Sequence, residues 1–147
     1  MRWYATAAAV AVTTAANLVL VTAIALLLVA CGLPAEGSWA LGCACGLTGM
    51  VFMGLALIFA QVSSTSRGAW GLSGAAIGVA YALRAIGDVG DNAATWLSPI
   101  GWGQQMRAFA DERWWPALLL LGATFVSVAV AHVLHDRRDF GAGLVAA

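Results

Sequence analysis

Hydrophobic and polar positions segregate along this chain on the scale of whole membrane crossings. Residues 4–31 carry no charged side chain and end at Gly32, Leu33 and Pro34. Residues 39–62 are also uncharged, bounded by Glu36 on one side and by the polar run from Ser63 to Arg67 on the other. A third apolar stretch, 69–86, has a single charge, Arg84, near its end, where an arginine reaches the interface by snorkelling. The fourth, 115–134, follows Trp114 and closes on His135-Asp136-Arg137-Arg138-Asp139. About 20 predominantly apolar residues cross a bilayer as a helix. The pattern therefore predicts an all-α, polytopic transmembrane bundle of four spans.

The connection between the third and fourth spans, residues 87–114, breaks this pattern in an informative way. Gly90-Asp91-Asn92 is turn chemistry, and Ser98-Pro99 reads as a helix start, with serine as N-cap and proline at the first helical position. From Pro99, the residues Trp102, Met106 and Phe109 recur at helical spacing opposite Gln104, Arg107 and Asp111. This predicts an amphipathic helix over 99–109, lying in the membrane interface or dipping partly into it. Four of the seven tryptophans, Trp96, Trp102, Trp114 and Trp115, belong to this region, as suits an interface rather than a solvated loop.

Composition agrees with the membrane reading. Hydrophobic residues make up 62% of the 147 and charged ones 10%, with mean hydropathy +0.87, whereas soluble domains are about 25% charged. The formal net charge is zero, without the basic patch that nucleic-acid binding requires. Every basic residue is arginine, so no phosphate-binding loop with its lysine can be written and no ATP hydrolysis by that route is expected. Cys31, Cys43 and Cys45 are odd in number and lack neighbouring histidine or carboxylate ligands, so neither a complete disulfide framework nor a metal site is expected. Leu28-Val29-Ala30-Cys31 has the form of a lipoprotein cleavage site, but the preceding apolar run exceeds the roughly 7–15 residues of a signal h-region.

Candidate chemistry is sparse. No nucleophile, base and orienting group assemble, so no enzyme and no cofactor are expected. Gly42, Gly46 and Gly49 with Ala44 would let another helix approach closely, a pattern repeated in the third span by Gly71, Gly74 and Gly78. Within the first span Thr13, Thr14 and Thr22 read as helix-packing groups, and Asn17 as either packing or lining a substrate path. Arg84 and Asp88 are four apart and predict a pair on one helix face. His132 and His135 share a face near the end of the last span, beside the charged run of Asp136, Arg137, Arg138 and Asp139, which reads as a cytoplasmic anchor. Arg2, Arg67 and Arg137/Arg138 fall on one side of the membrane, while Glu36, Asp88, Asp91, Asp111 and Glu112 fall on the other. By the positive-inside rule both termini are cytoplasmic and residues 87–114 lie outside.

Four runs carry a family likeness: Leu83-Arg84-Ala85-Ile86-Gly87-Asp88, then Trp96-Leu97-Ser98-Pro99-Ile100-Gly101-Trp102, then Arg113-Trp114-Trp115-Pro116, then Arg137-Arg138-Asp139-Phe140-Gly141-Ala142-Gly143-Leu144. Their order resembles the membrane permeases of bacterial ABC exporters of the polyketide-antibiotic type, a type-2 ABC exporter family. The likeness covers about the last 60 residues; the earlier spans match as alanine- and glycine-rich helices. It implies duplicated six-helix halves, of which this chain would supply helices three to six of one half as a single transmembrane domain within a larger permease. It also implies a separate ATPase subunit, a hydrophobic small-molecule substrate, the remaining permease segments as partners and the bacterial plasma membrane as location. On that plan Arg84, Asp88, Ser98, Pro99, Trp102, Met106 and Phe109 belong to an outer gate or interface. Two other classes remain open: a non-transporting membrane scaffold, and a small self-contained drug transporter, which would need a carboxylate inside a span.

Overall fold

A computed structural model of the chain describes residues 2–90 and 93–138. Among them it is all-helical: α1 (Arg2–Ala30), α2 (Ala35–Val62), α3 (Ser66–Gly90), a 3₁₀ turn (Ala93–Leu97), α4 (Pro99–Gln105) and α5 (Trp115–Arg138). Helices α1, α2, α3 and α5 are each long and apolar enough to cross a membrane. Leu18 and Val19 on α1, Val79 and Tyr81 on α3, and Leu118, Phe125 and Val126 on α5 all stand exposed on their helix surfaces. A soluble monomer rarely shows so much contiguous apolar surface; lipid is the solvent that fits it. The chain is a multi-pass membrane protein.

The helices outrun their apolar stretches, since a charge at the interface does not end a helix. α3 continues past Ile86 through Asp88 to Gly90, and α2 begins at Ala35 before Glu36. What ends them is local backbone chemistry. α1 stops in a Schellman motif: Gly32 takes the left-handed φ of 88°, its N–H donates to the Val29 carbonyl, and the Leu33 N–H donates to Leu28. Pro34 follows and opens α2. At the next turn the Thr65 hydroxyl accepts the Gly68 amide at 3.1 Å, which caps the start of α3.

α2 is the central post. It packs along α1 on one side and α5 on the other, while among the described residues the α1 and α5 backbones stay more than 8 Å apart, Cα to Cα. Its glycines make this possible. A Cβ on Gly42 would stand 2.7 Å from the Val21 carbonyl oxygen, one on Gly49 2.6 Å from Asn17 Oδ1, and one on Gly54 2.6 Å from Ser127 Cβ. The core runs from Ala44 and Val51 on α2 to Leu120 on α5 and Met106 beyond α4. α3 leans more lightly on α2, and the face bearing Gly71, Gly74 and Gly78 meets nothing within 4 Å of where a Cβ would sit.

The helices run antiparallel in sequence order, which defines two ends. The α1–α2 turn and the α3–α5 connection share one, called here the loop end. The start of α1, the α2–α3 turn and the end of α5 share the other, the terminal end.

Candidate functional site: the α3–α5 connection

The connection does not lie flat over the loop end; it descends between α3, α2 and α5. The Ser98 hydroxyl donates to the Ala80 carbonyl at 2.7 Å with both residues buried. Ala80 is ten residues before the end of α3, or about 15 Å along the axis at 1.5 Å per residue. Gly103 of α4 rests on α2 at Ala44 and Thr48, at similar depth from Ala35. Non-helical backbone at membrane depth persists only where protein surrounds it, and glycines supply that enclosure. A Cβ on Gly87 of α3 would fall 2.9 Å from Thr95 Cα, and one on Gly101 of α4 would fall 2.9 Å from the Thr95 carbonyl carbon. Thr95, in the 3₁₀ turn, is thus held between two helices that lack side chains at the point of contact.

Ser98 occupies the N-cap position with extended backbone, φ −119°, and Pro99 follows at the first helical position. Its side chain does not cap α4, however; it is committed to Ala80. The helix is also shorter than the sequence predicts, Pro99–Gln105 rather than 99–109. After Met106 the chain passes through left-handed conformations at Arg107 (φ 52°), Phe109 (φ 67°) and Asp111 (φ 64°). Each costs a non-glycine residue on the order of 1–2 kcal/mol. Compensation comes from what the turn places. Met106 is fully buried against α2 and α5, and its carbonyl accepts the Arg113 amide at 2.9 Å. The Phe109 ring covers Gly37 at the start of α2, and the Phe109 amide donates to Glu112 Oε1 at 3.1 Å. Trp102, Met106 and Phe109 therefore all serve apolar contacts, but Phe109 does so from a turn and against α2 rather than on one helical face.

Arg84 and Asp88 form the pair their spacing predicts, Nη2 to Oδ2 at 2.9 Å. Sequence reasoning missed the second bond: Arg84 Nε donates to Gln104 Oε1 at 3.0 Å, tying α3 to α4 across 20 residues. It missed the tryptophan bracket as well. Trp102 Nε1 donates to the Trp96 carbonyl at 2.7 Å, and the Trp96 ring stacks on Trp115 with centroids 5.2 Å apart and planes at 15°. The signal available was the crowding of tryptophans; their pairing has no signature in spacing.

Asn17 is placed between helices. Its Nδ2 donates to the Thr13 carbonyl at 3.0 Å, and its Oδ1 lies over Gly49 of α2. Both are packing contacts, one within α1 and one at its interface with α2. Thr22 is exposed and bonds its own helix at Leu18. Arg137 is exposed at the end of α5; the side chain of Arg138, all of Asp139, the 140–144 run and the Asp91-Asn92 turn lie outside the described residues. His132 and Asp136 approach to 3.8 Å on the surface of α5. Among the described residues no three of His, Cys, Asp or Glu converge as metal ligands would.

No family model matches the chain. A curated protein of Mycobacterium tuberculosis (strain ATCC 25618 / H37Rv), described as "Multidrug efflux system permease protein Rv1217c", is 44% identical to it over 122 residues. The chain is homologous to a multidrug efflux permease. The match takes in 83% of this chain and 22% of the relative, so the chain spans about a fifth of that protein's length. Of 147 residues, 122 matched leave 25 outside, so wherever the match begins it includes residues 26–122. The relationship thus extends well beyond the last 60 residues that carry recognisable runs, through α2, α3 and the whole re-entrant connection.

Proposed function

We propose that this chain forms part of the membrane-spanning permease of an ATP-driven bacterial exporter of hydrophobic compounds, such as polyketide antibiotics, energised by a separate ATPase subunit. The observation that carries the reading is the 44% identity to a multidrug efflux permease across most of the chain. The chain would be one transmembrane domain of a larger permease in the plasma membrane, with both termini cytoplasmic and the loop end outside. In that orientation the Ser98–Phe109 segment, wedged between α3 and α2, sits where a substrate would leave. Arg84, Asp88, Ser98, Pro99, Trp102, Met106 and Phe109 then hold an outer gate, and Arg137, Arg138 and Asp139 anchor the cytoplasmic side. The small self-contained transporter is the weaker reading: Glu36, Asp88 and Asp136 all stand at helix ends, so no carboxylate is available in mid-span for proton coupling.

The test is co-expression of the complete permease with its candidate ATPase in an efflux-deficient host. The two should co-purify and lower accumulation of a hydrophobic antibiotic, and Trp102→Asp should abolish export while leaving ATPase association intact. An equal loss of folded protein and of ATPase association in Trp102→Asp would assign the segment to anchoring instead. For orientation, the exposed Cys31 at the loop end should react with an impermeant maleimide in intact cells, and Ser64→Cys only after permeabilisation. The opposite pattern would invert the topology.

A further inference from the structure

Because the α1 and α5 backbones both pack on α2 and stay apart from each other, a groove runs between them, and toward the terminal end it holds a cavity of about 270 Å³. Its walls are apolar: Ala7, Val10 and Ala11 from α1, Leu57 from α2, Val128 and Ala131 from α5. Its polar groups gather at one end. Gln61 is the penultimate residue of α2, Thr6 lies in the first turns of α1, and His132 and His135 lie in the last turns of α5. The division follows from topology, since the terminal end is where α2 finishes, α1 starts and α5 finishes. Side chains that tolerate the interface therefore converge on one mouth while the depth of the groove remains aliphatic. Such a pocket, mostly apolar with a few convergent hydrogen-bonding groups, is the usual form of a small-molecule site, and its volume is near the lower limit of that class.

We propose that this groove binds a hydrophobic small molecule carrying hydrogen-bonding oxygens at one edge. The apolar body lies between α1 and α5 on Leu57, and the oxygens face Gln61 and His132. A carboxamide and an imidazole together offer both donors and acceptors, which suits hydroxyl and carbonyl oxygens and gives no advantage to a lipid acyl chain. The proposal rests on the export reading for its biological sense: on that topology the groove opens at the cytoplasmic face, on the side from which an exported compound arrives.

The experiment uses the full chain in phosphatidylcholine nanodiscs, with 1,4-dihydroxyanthraquinone as probe and anthracene as its oxygen-free counterpart, each measured against empty nanodiscs. Saturable binding of the hydroxyquinone at one molecule per chain is expected. Gln61→Leu combined with His132→Leu should weaken it roughly tenfold or more, as loss of hydrogen bonds to a buried ligand implies. The same change should leave any anthracene binding unaltered. Ala11→Phe, which fills the groove, should abolish saturable binding of both, with helicity checked by circular dichroism. Binding no greater than to empty nanodiscs overturns the proposal. So does hydroxyquinone binding that Ala11→Phe removes and the Gln61/His132 pair does not affect, because the groove would then be a seat for lipid chains or any apolar body. The binding assay needs no ATPase. A chain that binds the probe but never associates with an ATPase or contributes to export would refute the export reading and leave the site standing; the reverse result would refute the site alone.

Discussion

Helices α2 and α3 carry the same sequence feature and use it differently. Both have glycines at helical spacing, 42, 46 and 49 in one and 71, 74 and 78 in the other. On α2 every one of the three lies under a neighbour: Val21 over Gly42 and Gly46, Asn17 over Gly49. On α3 the three face open space, and the helix is held instead from its far half, through Ala80, Arg84 and Gly87 to the re-entrant segment. Small residues allow close approach in a membrane, where lipid offers no hydrophobic drive for helices to associate. They do not compel it. What decides is whether a facing helix presents a complementary ridge: α1 does so to the α2 stripe, and among the described residues nothing does so to the α3 stripe.

The sharpest way to break this comparison is to add bulk to both stripes. Gly42→Leu would force α1 away from α2 at the Val21 backbone carbonyl, which cannot yield as a side-chain tip can. We expect a loss at or above the upper end of the roughly 1–3 kcal/mol typical of overpacking, read as a large fall in detergent-resistant folded fraction. Leu120→Ala, in the core shared by α2, α5 and Met106, should cost about 2–5 kcal/mol if the site fails to collapse, measured in the same unfolding titration. Ser98→Ala removes the buried side-chain bond from the connection to mid-α3. It should cost about 1 kcal/mol and raise hydrogen exchange across the 3₁₀ turn and α4 while leaving α1 and α2 unchanged. Gly74→Leu should fall within about ±0.5 kcal/mol, as for exposed positions away from any special feature. A loss at Gly74 as large as at Gly42 would show that the α3 stripe is covered in the folded protein and would erase the distinction.

Much of this was legible in the residues. The four crossings follow from uncharged runs of bilayer length, the Arg84–Asp88 pair from a spacing of four, and the start of α4 from Ser98-Pro99. The length of α4 was not legible. Arg107 and Phe109 are not residues whose identities announce left-handed backbone, although Asp111 is of a type that adopts it more readily, and the strain persists because burial of Met106 and the seating of Phe109 on Gly37 outweigh it locally. Nor was the role of Ser98. A serine before proline has the identity of an N-cap, yet its hydroxyl donates to a carbonyl on α3, 18 residues away, and accepts no amide of its own helix.

By itself, then, the sequence determined that the chain is a membrane protein and where it crosses, because burial of apolar runs in hydrocarbon and backbone hydrogen bonding within each helix are local demands that each segment meets alone. It also marked residues 87–114 as unusual through their tryptophans. Only the tertiary structure decided that α2 stands at the centre, which glycines are covered, that the connection descends beside Ala80 and Ala44, and that Asn17 packs on Gly49. It alone opened a groove between α1 and α5. Those features depend on which helix faces which, and apolar surfaces are nearly interchangeable in lipid. The choice therefore falls to shape, to small residues meeting ridges, and to a few hydrogen bonds between groups far apart in the chain.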